Sequence, residues 1–205
     1  MKIAFDVNSV LRDTFGKAEQ IYQKFFIDEF FDETEFEYGL NLPVKNLSNL
    51  KDHFKFSNDE ELFEFFYQDF TMQIFGNAGS TEMNTFNVFN EIYEDLRDDH
   101  DILVISDEIG KSKPATLFFL SKYGCLVEKI KFFSKVTMES LWDECNIIIT
   151  ANPELFENKP ENTTMVKFNT SYNEDLDCEH EIDSLSQFKD LYKQLEIKKN
   201  DYNFG

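Results

Sequence analysis

Asp6 closes a short apolar run, Ile3-Ala4-Phe5, and Asn8-Ser9 breaks the pattern two residues later. A carboxylate delivered at the C-terminal end of a buried strand is how an open α/β sheet presents a reactive group, because ligands bind outside those strand ends. Three later apolar runs also end in polar residues. Residues 102–106 end in Ser106, residues 129–134 are followed by Lys135, and residues 145–150 run into Ala151-Asn152-Pro153. Taken singly, each has an ordinary explanation: a strand must end, and an exposed lysine after a strand is common. Their order and spacing carry the chemical interest.

The stretch Ile3-Ala4-Phe5-Asp6-Val7-Asn8-Ser9-Val10-Leu11 resembles the opening motif of the haloacid dehalogenase-like phosphohydrolases: apolar strand, Asp, any residue, second Asp, turn, aliphatic pair. The resemblance implies that Asp6 stands at the nucleophile position and Asn8 at the acid/base position. It places Ser106 as the phosphoryl-binding Ser/Thr of the second motif and Lys135 as the neutralising lysine of the third, with Lys111 and Lys113 as rivals. The frame Ile149-Thr150-Ala151-Asn152-Pro153, then a strand at 165–168, then Thr170-Ser171-Tyr172-Asn173, is similar to the 5′(3′)-deoxyribonucleotidase branch. That branch carries a metal-binding Asp pair where this chain has Thr150 and Ala151.

These replacements set the chemical expectation. The family's Mg²⁺ is held by the nucleophile, a backbone carbonyl and a fourth-motif Asp. Here Asp6 and the carbonyl of Asn8 remain, and only Glu154 or Asp107 could replace the lost carboxylate. An asparagine cannot act as the general acid or base, a role worth about 10²–10⁴-fold. The expected protein is therefore a degenerate member that has lost phosphatase activity and acts through binding or assembly. Two rivals are carried: a Mg²⁺-dependent nucleotidase-like phosphomonoesterase acting on (deoxy)nucleoside monophosphates, and a metal-free Asp-nucleophile hydrolase of dehalogenase type. No cofactor is expected, with Mg²⁺ the ion if the site is active.

The elements must position those residues. At 205 residues, 41% hydrophobic and 16% aromatic, the chain suits one α/β core with a modest insertion. The 24 phenylalanines predict an aromatic core. Five strands are expected, at 2–5, 101–106, 129–134, 145–150 and 165–168. Helices alternate with the later strands at 113–123, 138–142 and 184–197, and 198–205 is expected to be loose. Such alternation predicts a parallel, Rossmann-like sheet with right-handed crossovers.

Helices at 14–31, about 57–75 and 82–97 interrupt the alternation after the first strand. They predict a helical cap over 14–97, with the core formed by 1–13 and 98–205. Ser57 and Glu60 read as a capping box. On a 100° wheel Leu62, Phe63, Phe66, Tyr67, Phe70 and Ile74 share one stripe, and Phe65 and Met72 fall on a second, directed onto the core or out to a partner.

The formal charge of −20, from 40 acidic and 20 basic residues, argues against nucleic-acid binding, which needs Lys/Arg neutralisation. The aromatic density of residues 54–75 predicts a protein partner or self-association through the cap, and with this charge a partner would present a basic rim. No apolar run is long enough to span a bilayer, and no membrane role is expected. A soluble cytoplasmic protein is expected. The Asn-, Lys-, Phe- and Ile-rich composition would suit an AT-rich genome such as many phages have; for a viral protein the place would be the host cytoplasm or the virion. Cys125, Cys145 and Cys178 lack disulfide or zinc spacing. His53, His100 and His180 are expected at the surface. The acidic runs at 33–37 and 98–101 are expected to be solvated faces, and Trp142 a core residue.

Overall fold

The computed structural model describes residues 1–28, 43–157 and 159–202. Six parallel strands form one sheet: β1 (Lys2–Asp6), β2 (Asp101–Asp107), β3 (Ile130–Phe133), β4 (Ile147–Thr150), β5 (Thr164–Phe168) and β6 (Glu181–Ile182), in the order β3-β2-β1-β4-β5-β6. The apolar run of β1 follows from its place: strands flank it on both sides and side chains cover both faces. The expected parallel sheet is observed. The two-residue β6, too short to carry a sequence pattern, is additional.

Alternation along β1 feeds two cores. Ile3 and Phe5 point to one face, where the Phe5 ring meets Phe89 of α4 (Thr85–Leu96) and Phe188 of α7 (Phe188–Tyr202), each edge-on at 5.1 Å. Ala4 points to the other, beside Leu103, Ile148 and Leu141 of α6 (Glu139–Glu144). Trp142 is only partly buried at the edge of that second cluster. α5 (Ser112–Lys122) joins β2 to β3, and its end is followed by Gly124, whose φ of +64° is the left-handed turn a glycine closes a helix with. Register sets the site: Asp6 lies beside Ile105, Ser106 beside Phe132, and Phe5 beside Ile149, so the ends of β1, β2 and β4 come out together.

The inserted helices have a core of their own. α1 (Thr14–Tyr22), α2 (Leu50–His53) and α3 (Asp59–Glu64) surround Ile21, Tyr22, Phe54, Phe65, Phe66, Ile74 and Phe75, a largely aromatic cluster. The helix at 82–97, assigned to the cap from sequence, divides from it: Phe86, Phe89 and Ile92 of α4 pack under the sheet. The chain leaves the sheet domain at Asp13 and returns at Gly79–Thr81. There the Asp13 amide donates to the Gly79 carbonyl (3.0 Å) and the Thr81 amide to that of Leu11 (3.2 Å).

Two local expectations shift. The cap of α3 is Asn58, whose side chain accepts from the Glu61 amide at 2.9 Å while the Glu61 carboxylate accepts from the Ser57 amide at 2.9 Å. The reciprocal pair forms one residue later than read. The helix expected to run unbroken to Phe75 contains two π-helical turns, Phe65–Asp69 and Met72–Gly76. Each wide turn rotates the residues after it away from a 3.6-residue wheel. Met72, which follows the first wide turn, is therefore off the face of Phe65: Phe65 is 2% exposed in the cap core and Met72 46%, while Phe63, in α3 before both turns, is 42% exposed. The second stripe through Phe65 and Met72 does not exist.

α1 ends at Tyr22 and a π turn follows at Gln23–Asp28. The acidic run at 33–37 lies outside the described residues. α7 continues through most of the expected loose tail, as far as Tyr202. His53 is not a free surface residue, because its Nε2 lies 3.0 Å from the Glu19 carboxylate.

The two phenylalanines give a test. Phe65→Ala should cost about 3–5 kcal/mol, as for a buried ring, and Phe63→Ala within about 0.5 kcal/mol of zero, by urea denaturation. Equal costs would contradict the placing of Phe65 in the cap core and Phe63 at its surface.

Candidate active site

Asp6 is 2% exposed at the end of β1. Its Oδ2 accepts from the Thr150 hydroxyl at 2.7 Å, and its Oδ1 from the Asn8 amide at 3.1 Å. The Asn152 amide in turn donates to Thr150 Oγ1 at 3.0 Å. Burial raises the pKa of Asp6 from 3.8 to about 7. The Thr150 and Asn8 hydrogen bonds oppose the rise, the Asp107 charge adds to it, and Arg12 opposes it least. Asp107, half-buried beside it, is raised to about 6 by burial and by Glu108 and Glu154.

Arg12 is the residue that the sequence reading missed. It is fully buried, and its Nη2 bonds Glu108 Oε1 at 2.5 Å and Asn8 Oδ1 at 2.6 Å. Nη1 donates to Thr116 Oγ1 (2.6 Å) and to the carbonyl of Phe75 in the cap (2.9 Å); Nε donates to Thr14 Oγ1 (3.0 Å). The rings of Phe75 and Phe119 lie 5.0 and 5.3 Å from the guanidinium carbon. Glu108 Oε1 also accepts from Thr116 (2.7 Å) and Ser106 (3.1 Å). A lone arginine four residues after Asn8 carries no periodic signal. Its fivefold donor set shows only once β1, β2, α5 and the cap are assembled.

Asn8, Ser106 and Thr150 do converge beside Asp6. Asn8 Oδ1 accepts from both Arg12 and the Thr14 hydroxyl (2.8 Å), and its Nδ2 donates to Ser106 Oγ at 3.3 Å. Ser106 is fully buried and turned toward Glu108. Lys135 lies at the same end of the sheet without reaching Asp6. It follows the edge strand β3, its side chain is 77% exposed, and its ammonium bonds Glu154 Oε1 at 2.9 Å. The expected close Asp6–Lys135 pair is therefore replaced by Lys135–Glu154, because β2 stands between β3 and β1. The rival Lys113 sits over the Phe132 ring at 5.6 Å, and Lys111 is exposed. Ala151 is buried, and its carbonyl accepts from Asn173, which also holds the carbonyl of Phe168.

A cavity of about 370 Å³ opens between cap and sheet above Asp6. Asn8, Thr14, Asp107, Asn152 and Glu154 line its floor with Asp6; aromatic rings of the cap and Tyr172 form its walls. Burial pushes the hydroxyls of Tyr67 and Tyr172 well above the usual phenol range.

Solved structures share this architecture. A HAD family hydrolase from Deinococcus radiodurans R1 with bound phosphate and sodium is 10% identical, with 94% of this chain and 95% of that one covered and a TM-score of 0.58. A haloacid dehalogenase-like hydrolase from Streptococcus pneumoniae is 10% identical over 93% and 97%, at 0.57. The HAD-hydrolase YfnB from Bacillus subtilis, bound to magnesium, is 14% identical over 95% and 98%, at 0.53. The fold is that of the haloacid dehalogenase-like hydrolases. No protein-family model matches the sequence, and no curated protein matches it.

The Mg²⁺ that accompanies this fold finds a poor donor set here. Thr150 and Ala151 supply no carboxylate at the end of β4, and the Thr150 hydroxyl is spent on Asp6 Oδ2. Asp107 extends from β2, on the opposite flank of β1 from β4. Among the described residues no group of three or more His, Cys, Asp or Glu side chains could hold a metal ion. A hard dication needs several oxygens, and fewer charged ones bind it weakly. The residues present do not fit the ion.

The buried pair gives a second test. Arg12→Met should cost about 3–5 kcal/mol in urea denaturation, because it strands Glu108, and Arg12→Met/Glu108→Leu should cost less than Arg12→Met alone. The raised carboxylates give a third. Folded Asp6 and Asp107 hold protons that the unfolded chain releases near pH 3.8, so stability falls as pH rises from about 4 toward 7. Asp6→Asn should flatten that slope in chemical denaturation at pH 4.5, 6 and 7.5.

Proposed function

We propose that this HAD-fold protein no longer hydrolyses phosphate esters and works through what its cavity binds. The observation that carries the reading is the engagement of Asn8. The residue at the acid/base position is a carboxamide whose oxygen already accepts from Arg12 and Thr14 and whose nitrogen donates to Ser106. It can neither protonate a leaving alkoxide nor activate water. Ser106 is drawn inward to Glu108, so the hydroxyl at the phosphoryl-binding position is spent as well.

Electrostatics supports the same reading. A phosphate dianion above Asp6 would meet carboxylates at Asp107 and Glu154, while Lys135 is held at the rim. Arg12, the nearest buried cation, is satisfied by Glu108. Both the nucleotidase-like and the metal-free reading need Asp6 as an ionised nucleophile. Burial raises Asp6 to about 7 with no ammonium on it, which disfavours the ionised form that both readings require.

The assay is release of phosphate from p-nitrophenyl phosphate and deoxynucleoside monophosphates with and without Mg²⁺. The expected result is no turnover above buffer, and none in Asn8→Asp, because the β4 carboxylate is still missing. Mg²⁺-dependent turnover by the wild type that is lost in Asp6→Asn would establish the phosphomonoesterase instead.

A further inference from the structure

The cavity above Asp6 combines two features that suit the same kind of ligand. Its walls are a connected set of rings: Phe15 meets Tyr172 edge-on at 5.5 Å and Phe66 at 6.5 Å, and Tyr67 contacts Phe63 at 5.3 Å and stacks on Phe75 at 5.5 Å. Its charged lining residues are all acidic: Asp6, Asp59, Asp107 and Glu154. No Lys, Arg or His stands among the described lining residues. Glu154 is paired with Lys135, but Asp6, Asp59 and Asp107 form no salt bridge among the described residues.

We infer that this cavity is a binding site for an organic cation: an ammonium group carried on an aromatic or aliphatic body. The inference rests on the reading that the site has ceased to process phosphate esters, and it names what the site takes instead. An ammonium placed beside Asp6 and Asp107 would favour the charged form of two carboxyl groups that form no salt bridge among the described residues. Ring faces attract the same charge, each by about 0.5–2 kcal/mol once desolvated. The apolar side chains Leu47, Leu50 and Leu62, on the cap side of the cavity, accept the hydrocarbon body. The volume of about 370 Å³ lies in the range of small-molecule sites and exceeds what a bare metal ion needs. The formal charge of −20 raises the local concentration of cations around the whole protein. An anion of the same size meets the reverse of each effect.

The test uses benzyltrimethylammonium chloride as probe, with phenyl phosphate and benzyl alcohol as anionic and neutral counterparts. Each is titrated into the full chain by isothermal calorimetry in Mg²⁺-free buffer at low salt. The cation should bind at least about tenfold more tightly than either counterpart, and raising the salt should weaken it. Phe63→Ala, at a partly exposed ring, and Asp107→Asn should each weaken it by about threefold or more. Asp59→Asn, on the exposed first turn of α3, replaces Asp107→Asn if thermal melting shows that variant to be unfolded.

Phenyl phosphate binding as tightly as the cation would overturn the assignment. So would an absence of binding by all three probes, or cation binding that the variants leave unchanged. Phosphate release with Mg²⁺ is measured separately. Turnover there refutes the loss of phosphatase activity without bearing on cation affinity, and failed cation binding leaves the absence of turnover standing.

Discussion

A guanidinium and a carboxylate, both fully withdrawn from water, hold the site together. Removing either charge from solvent costs several kcal/mol, and their mutual attraction offsets this only if the remaining donors are satisfied. Arg12 meets that condition through Asn8, Thr14, Thr116 and the carbonyl of Phe75. Glu108 meets it at one oxygen only: Oε1 takes three donors, while the buried Oε2 has no hydrogen-bond partner among the described residues. The turn after β1, the end of β2, helix α5 and the cap are all tied to this pair. The orientations of Asn8 and Ser106 follow from it.

The chemistry near Asp6 is a consequence. In a site built for phosphate, the strand-end residues face outward to an anion and a metal. Here the same positions face inward to Arg12 and Glu108, and Thr150 hydrogen-bonds the one carboxylate left at the nucleophile position. The protein has the fold of the haloacid dehalogenase-like hydrolases, with these polar groups satisfied internally. Burial without a counter-ion then drives Asp6 toward the neutral form, and the surrounding carboxylates reinforce it.

Much of this was legible in the sequence. Strand ends at Asp6, Ser106 and Thr150 could be placed because buried parallel strands read as continuous apolar runs, and a parallel sheet brings their C-terminal ends together. What the sequence did not reveal has specific physical causes. Lys135 follows an edge strand, where the reach of one side chain decides its partner, and Glu154 is nearer than Asp6. The ring pattern of the cap misled because π turns change the angular period that the wheel assumes, so Met72 left the face of the buried Phe65. The division between cap and core came too late in the chain because α4 is amphipathic whichever core it faces. Arg12 escaped because a buried charge is defined by partners up to 104 positions away.

The crossing between cap and sheet has a mechanical meaning. Two chain segments, at 11–13 and 79–81, run side by side there, joined by backbone hydrogen bonds. Arg12 sits within the first of them, with one nitrogen bonded to the Phe75 carbonyl just before the second. A two-segment crossing by itself is free to act as a hinge; a charged rivet through its pivot stiffens it. Swinging the cap outward would strip the guanidinium of a partner in a place water does not reach. That loss opposes opening, so the contact favours the arrangement in which the chamber above Asp6 is walled by both bodies.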